Sequence, residues 1–390
     1  MSAFTQPETA MSAARPAIEH LSNPHADHAA PLPGVLTRET RVEAQQAVRA
    51  WPGYAPTPLL DLPDLARRLG VAAVRWKDEG GRFGLGSFKA LGGAYAVQRL
   101  VRQLGGGADI TFAAATDGNH GRSVAWGARQ AGARCMIYLH AGVSAGREAA
   151  LRALGADIVR VAGNYDDSVR QCARDAAENG WHVVSDTAWE GYREVPTAVM
   201  AGYSLIAAEA IEQMAGERPT HVLVQGGVGG VAAAICAELR DAWGAEAPRF
   251  VVVEPALAAC LLESARHGGR TEIPIEDETV MAGLSCGDPS PLAWEVLDPG
   301  ADDFVAVDDA WVPPAMRLLA DGEGGDRPVV AGESGVAGLA ALLAAKERPE
   351  MWAALGLDAS SRVLLIGTEG ATDPDIYRQI VGRSPEAVAA

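Results

Sequence analysis

At 390 residues, just under half of them hydrophobic, the chain is long enough for two domains with a sizeable core. Its formal charge of −17 argues against a phosphate backbone as partner, because such binding needs clustered cations. No apolar run reaches membrane-spanning length and no basic segment precedes an apolar stretch at the N-terminus, so neither a transmembrane helix nor a secretory signal is expected.

Residues 1–47 are rich in Ala, Pro and His and read as a mobile or surface-wrapping extension, with His20, His25 and His28 expected to be solvated rather than metal ligands. From Trp51 the pattern changes. Leu59 to Gly70 has the spacing of a short helix, Val71 to Trp76 is strand-like, and a helix is predicted from about Ser87 to Leu104. Strands at 111–116, 135–139, 157–161 and 182–185 then alternate with helices at 122–131, 145–154, 165–179 and 195–214. A strand at 221–224, a glycine loop at 226–230, a helix at 231–243 and strands at 250–253 and 362–366 follow. Apolar strands alternating with amphipathic helices predict an α/β protein of open, mostly parallel sheets covered by helices. Two such domains are expected: 48–88 with 190–390 as the larger, 89–189 as the smaller.

Parallel sheets bind ligands beyond the carboxyl ends of their strands, which directs attention to four loops. The first is Arg82-Phe83-Gly84-Leu85-Gly86-Ser87-Phe88-Lys89. Its glycines allow a turn, Ser87 can cap the helix, and Lys89 falls in the first helical turn. Apolar neighbours and the helix dipole should both lower the Lys89 amine's pKa, as an imine-forming nucleophile requires. The chain has thirty arginines but only three lysines, Lys77, Lys89 and Lys346. Lys77 stands beside two acidic residues and Lys346 in a charged helix, where salt bridges are the simpler roles.

The second loop, Thr116-Asp117-Gly118-Asn119-His120-Gly121, follows a strand directly. Its small residues permit close approach to a ligand, Asn119 can donate to an anionic ring oxygen, and Asp117 can serve as acid or base. The third, Gly226-Gly227-Val228-Gly229-Gly230, is an anion cradle at a helix N-terminus. It lacks the Lys-Ser/Thr of a nucleotide loop and the dinucleotide spacing, so a single phosphate is the better fit. The fourth, Gly367 to Asp373, offers Thr368 to a heteroaromatic nitrogen; a neutral partner there favours elimination over transamination. The five cysteines include no CxxC pair, so buried thiols rather than a zinc site are expected.

With these motifs in place, the chain resembles the tryptophan-synthase-β type of pyridoxal phosphate enzyme, fold type II, and within it is similar to the diaminopropionate ammonia-lyases. The resemblance runs from about Val48 to Arg378. It is carried by the run ending Phe88-Lys89-Ala90-Leu91-Gly92-Gly93, by Ala115 to Gly121, by Asp186 to Tyr192, by Met281-Ala282-Gly283-Leu284 and by Thr368-Glu369-Gly370. It implies that Lys89 carries the cofactor as a Schiff base, Asn119 contacts its 3′-oxygen and the 226–230 loop its phosphate. It also implies that Asp117 and Asp186 are acid/base groups near a small amino-acid substrate. Serine racemases and dehydratases carry a serine where Asp117 stands, so the aspartate suits a substrate with a second ammonium. The implied reaction is elimination of ammonia from D- or L-2,3-diaminopropionate, giving pyruvate, in a cytoplasmic homodimer. Ser87, Tyr165 and Tyr192 are candidate substrate contacts, with Trp189, Ser285 and Glu333 as further pocket candidates. Cys260 and Cys286 lie where some relatives carry a cysteine pair and are expected to stay reduced. The alternatives are a hydroxy-amino-acid dehydratase acting on serine, threonine or 3-hydroxyaspartate, or a silent metabolite-binding homologue.

Overall fold

The computed structural model describes residues 17–116 and 118–390. Eleven strands are found among them: β1 (Ile18–Ser22), β2 (Leu59–Asp61), β3 (Ala73–Asp78), β4 (Thr111–Ala115), β5 (Arg134–His140), β6 (Asp157–Val161), β7 (His182–Val183), β8 (His221–Gln225), β9 (Arg249–Pro255), β10 (Asp303–Val307) and β11 (Arg362–Gly367). They form two sheets. One has the order β1-β10-β9-β8-β11-β3-β2, and the other β6-β5-β4-β7. The small sheet is wholly parallel, and the large one is parallel except where β1 and β2 pair antiparallel at its two edges. This is the α/β architecture that the alternation predicts. Strands β8, β9 and β10 are buried along almost their whole length, as expected where helices cover both faces.

Three segments depart from the sequence expectation. Leu59–Asp61 is an edge strand on β3, and the helix begins only at Pro63 and ends at Gly70, whose φ of +73° closes it. The expected N-terminal extension supplies β1, in register with β10, and a helix at Arg38–Arg49. Pairing with β10 sets each of its three histidines beside a carboxylate: His20 with Asp303 (2.7 Å), His25 with Asp298 (2.8 Å) and His28 with Asp302 (2.8 Å). His20 is therefore a largely buried tether, while His25 stays exposed to solvent in its pair. Strand β10 itself escaped prediction because it opens on Asp303, a carboxylate fully buried between His20 and Arg249.

Two features bring the site together. The helix Ala90–Leu104 crosses the long buried helix Glu194–Gln213 at a glycine contact, where a Cβ on Gly202 would lie 1.9 Å from Leu91 O and one on Gly92 2.4 Å from the Tyr203 ring. Below that crossing lies a buried ion cluster. Arg82 donates to both oxygens of Glu209 (2.8 Å each) and to both of Glu79 (2.8 Å each), while Lys77 donates to Glu209 at 2.7 Å and to Thr57 O at 2.8 Å. Lys77 is thus salt-bridged, to a helix rather than to its chain neighbours.

Burial alone would raise the Glu209 pKa, but hydrogen bonds from Arg82, its charge and that of Lys77 hold it below the usual value of 4.5. A carboxyl depressed on folding adds stability that is fully present above the unfolded value and is lost as pH falls through the folded one. We therefore expect unfolding free energy to decline below about pH 4.5, and Glu209→Ala to lose about 3–5 kcal/mol at neutral pH by leaving Arg82 and Lys77 uncompensated. Chemical denaturation of both proteins across pH checks this.

Candidate active site

Lys89 stands at the start of the helix Ala90–Leu104, at the end of a turn (Glu79–Gly84) in which Phe83 adopts φ +51°. The segment before it is zipped to the turn after β11: Phe88 N donates to Thr368 O (3.0 Å), Gly370 N to Gly86 O (2.9 Å), and Ser87 bridges Glu369. The Lys89 ammonium donates to Asp186 Oδ2 at 2.7 Å and lies 5.4 Å and 5.9 Å from the ring centres of Phe88 and Tyr203. Burial opposes its charge, but Asp186 overrides that and holds the amine above the ordinary lysine value. This corrects the expectation of a lowered pKa, which took account of desolvation and the dipole but not of a carboxylate 97 residues away. Asp186 is held low in return: burial works against the carboxylate, and Lys89 with His120 outweighs it.

Asn119 begins the helix that follows β4, and its Nδ2 donates to Glu369 Oε2 at 2.6 Å. Glu369 Oε1 accepts from Ser334 N (3.1 Å), whose Oγ accepts from Gly283 N (3.1 Å). Burial pushes the Glu369 carboxyl up. The 367–373 loop thus brings Glu369 to the site as well as Thr368, and its signal in the sequence is an acidic residue in a glycine turn directly after an apolar strand. Thr368 is buried and gives its carbonyl to Phe88. Glu333 has its carboxyl pushed up to about 7 by burial and by Glu369, whereas Ser285 turns to Glu278 at 2.9 Å. His120 donates from Nε2 to Val184 O (2.8 Å), with Nδ1 3.8 Å from Asp186 Oδ2. Asp117 lies outside the described residues; beside it, Thr116 Oγ1 accepts from Gly118 N and Gly121 N.

The glycine loop connects β8 to the helix Gly230–Trp243. Gly226 N donates to Val253 O (2.8 Å) and Val228 O accepts from Ser290 N (3.0 Å), but the amides of Gly227, Val228 and Gly229 find no main-chain acceptor among the described residues. Gly229 has φ +90°, and a Cβ on Gly226 would lie 2.7 Å from Leu261 and Val252 side-chain atoms. Free amides over a helix N-terminus make this loop an anion cradle. Cys286 Sγ would be 3.2 Å from a Cβ on Gly227, and Cys260 and Cys286 form no disulfide.

The three expected substrate contacts are placed differently. Ser87 is buried in the zipped segment. Tyr165 is exposed at the carboxyl end of β6, where its carbonyl accepts from Ser168 Oγ at 2.6 Å. Tyr192 stacks on Trp189 (3.9 Å, 10°), and its hydroxyl donates to Val183 O (2.8 Å) and accepts from Ser185 N (3.1 Å). It braces the loop that carries Asp186.

Residues 50–366 match the family of pyridoxal-phosphate dependent enzymes. The chain is 42% identical over 357 residues to diaminopropionate ammonia-lyase of Escherichia coli strain K12, spanning 86% of this chain and 90% of that one. It is 40% identical over 363 residues to the Salmonella typhimurium protein of the same name, with 85% and 90% covered. The crystal structure of the Escherichia coli enzyme in complex with an aminoacrylate-PLP azomethine reaction intermediate aligns with a TM-score of 0.88 at 39% identity, over 94% of this chain and 97% of that one.

The Lys89–Asp186 pair carries a direct prediction. In Asp186→Asn the burial of Lys89 is no longer countered, so its titration should move to lower pH. With three lysines in the chain, side-chain 15N NMR of the cofactor-free protein resolves it; an unmoved Lys89 signal would refute the pairing.

Proposed function

Because the chain belongs to the pyridoxal-phosphate dependent enzymes and, within them, to the diaminopropionate ammonia-lyases, we propose that it eliminates ammonia from 2,3-diaminopropionate, giving pyruvate. The observation that carries the reading is one cluster: an amine and a carboxylate at 2.7 Å, an amide-bearing turn, and a glycine cradle, all beyond the carboxyl ends of strands. These residues fit pyridoxal phosphate. The amides of Gly227, Val228, Gly229 and Gly230 would hold its phosphate, with Gly226 turning the chain. Lys89 would hold its aldehyde carbon, and the second Nδ2 hydrogen of Asn119 would reach its ring oxygen. The Thr368 hydroxyl is the neutral group for its ring nitrogen.

When bound, the cofactor withdraws electrons from the substrate's α-carbon so that a proton there can be removed. The chain supplies the rest. Asp186 and Asp117 take the α-proton, one for each enantiomer, and the Lys89 ammonium supplies the proton that the departing β-amine needs. The carboxylates also suit a substrate with two ammonium groups better than one with a hydroxyl. Residues 48–88 with 190–390 form the larger domain and 89–189 the smaller, a division supported by the four-stranded sheet lying within 111–183. No described helix is long and apolar enough to cross a membrane. The reading places the enzyme in the cytoplasm as a homodimer.

Pyruvate release from D- and L-diaminopropionate, set against serine and threonine, tests the substrate. The diamine should turn over fastest, and a faster hydroxy substrate would overturn the assignment. Asp117→Asn and Asp186→Asn should each slow one enantiomer more than the other, by roughly 10²–10⁴-fold. Borohydride should fix the cofactor to the peptide carrying Lys89, and not at all in Lys89→Ala.

A further inference from the structure

His120 is 6% exposed, and its two ring nitrogens face different partners. A carbonyl can only accept, so the contact with Val184 O at 2.8 Å places a hydrogen on Nε2. Nδ1 is buried with no hydrogen-bond partner among the described residues, and Asp186 Oδ2 stands 3.8 Å away. Burial holds the imidazole neutral, and the Lys89 charge adds to this while Asp186 opposes it. Nδ1 therefore presents a lone pair to a carboxylate, so that two acceptors face each other. A buried acceptor without a donor is costly, and a catalytic role is one of the reasons such a group is kept.

We propose that His120 is the proton-holding partner of Asp186, acting on the reaction through that carboxylate. The inference rests on the elimination reading above. When Asp186 takes the α-proton, the Cα–H bond breaks, its electron pair stays with the substrate, and the new carboxyl O–H needs an acceptor. Nδ1 is that acceptor. An approach of about 1 Å makes an ordinary hydrogen bond, and catalytic contacts commonly tighten by such amounts when substrate binds. Transfer to Nδ1 leaves an imidazolium against a restored carboxylate, with Nε2 still on Val184. Burial then drives the proton back through Asp186 to the Lys89 nitrogen, replacing the one that Lys89 gave to the departing β-amine and resetting the pair. The charged and titratable groups around the pair are Lys89, beside both members, and the hydroxyls of Tyr192 and Tyr203 near Asp186.

Two measurements decide it. Histidine 15N NMR of the cofactor-free protein, with His120 assigned by the signal absent from His120→Gln, should show the Nε2–H form, and its titration should shift in Asp186→Asn. The opposite tautomer, or a titration indifferent to Asp186, overturns the proposal whether or not the enzyme acts on diaminopropionate. In His120→Gln the side-chain amide can still donate to Val184 O but cannot take a proton. With substrate, that variant should lose roughly 10²-fold in kcat with KM little changed, and the acidic limb of its pH profile should move down, because the protonated Asp186 carboxyl loses its acceptor. Loss in KM alone, or an unmoved limb, would reduce His120 to a structural part. If the wild type releases no pyruvate from the diamine, the elimination reading fails, and the NMR result still stands by itself.

Discussion

The bidentate contact between Arg82 and Glu209 is the constraint on which the site's geometry depends. It joins the turn that delivers Lys89 to the long helix that forms the floor beneath it. Two charges taken out of water are costly, and only good geometry with every lone pair satisfied offsets that. Here Glu209 also accepts from Thr57, Tyr54 and Lys77, and Glu79 accepts from Thr57 and Arg82, so no carboxylate oxygen is idle. The turn cannot shift without breaking several charged hydrogen bonds at once. About two helix turns from Glu209, Tyr203 and Gly202 meet Phe88, Leu91 and Gly92. The same helix therefore sets both the height and the direction of Lys89.

Two of the three lysines, Lys77 fully buried and Lys89 half-buried, stand beside carboxylates, yet their pKa values shift in opposite directions. For Lys77, burial wins although Glu79 and Glu209 oppose it, because Arg82 claims the same carboxylates and its own charge repels the ammonium. For Lys89, Asp186 has no arginine competing for it and the carboxylate wins over burial. A lysine's role thus depends less on how buried it is than on whether its counter-ion is shared. Lys77 is a structural cation in a saturated cluster, while Lys89 depends on a single partner that can be exchanged.

The α/β architecture was legible because parallel strands buried on both faces must be apolar throughout, as in β8 and β9. So were the loops at strand ends, where glycine marks close approach. What sequence left hidden was long-range pairing. Nothing local tells His20 that Asp303 lies opposite, or Lys89 that Asp186 will reverse its pKa. Glu369 was passed over because a loop carboxylate usually faces water, and only the structure shows Asn119 and Ser334 N converging on it. Tyr192, a candidate substrate contact by sequence, has its hydroxyl satisfied by the backbone of its own loop.

The Lys89–Asp186 pair then has a consequence for catalysis. With Lys89 charged, Asp186 is too weak a base to take a proton from carbon, since its partner holds it well below the usual carboxylate range. On the proposed reading, the Lys89 ammonium turns to the departing β-amine, so the ion pair parts before Asp186 acts as a base. Burial is then the larger remaining influence on Asp186 and raises its basicity. The carboxylate that keeps Lys89 charged at rest thus becomes a competent base only once the pair has parted. One ion pair can in this way order two steps in time without any movement of the fold, provided that its two members have no second partners of equal strength.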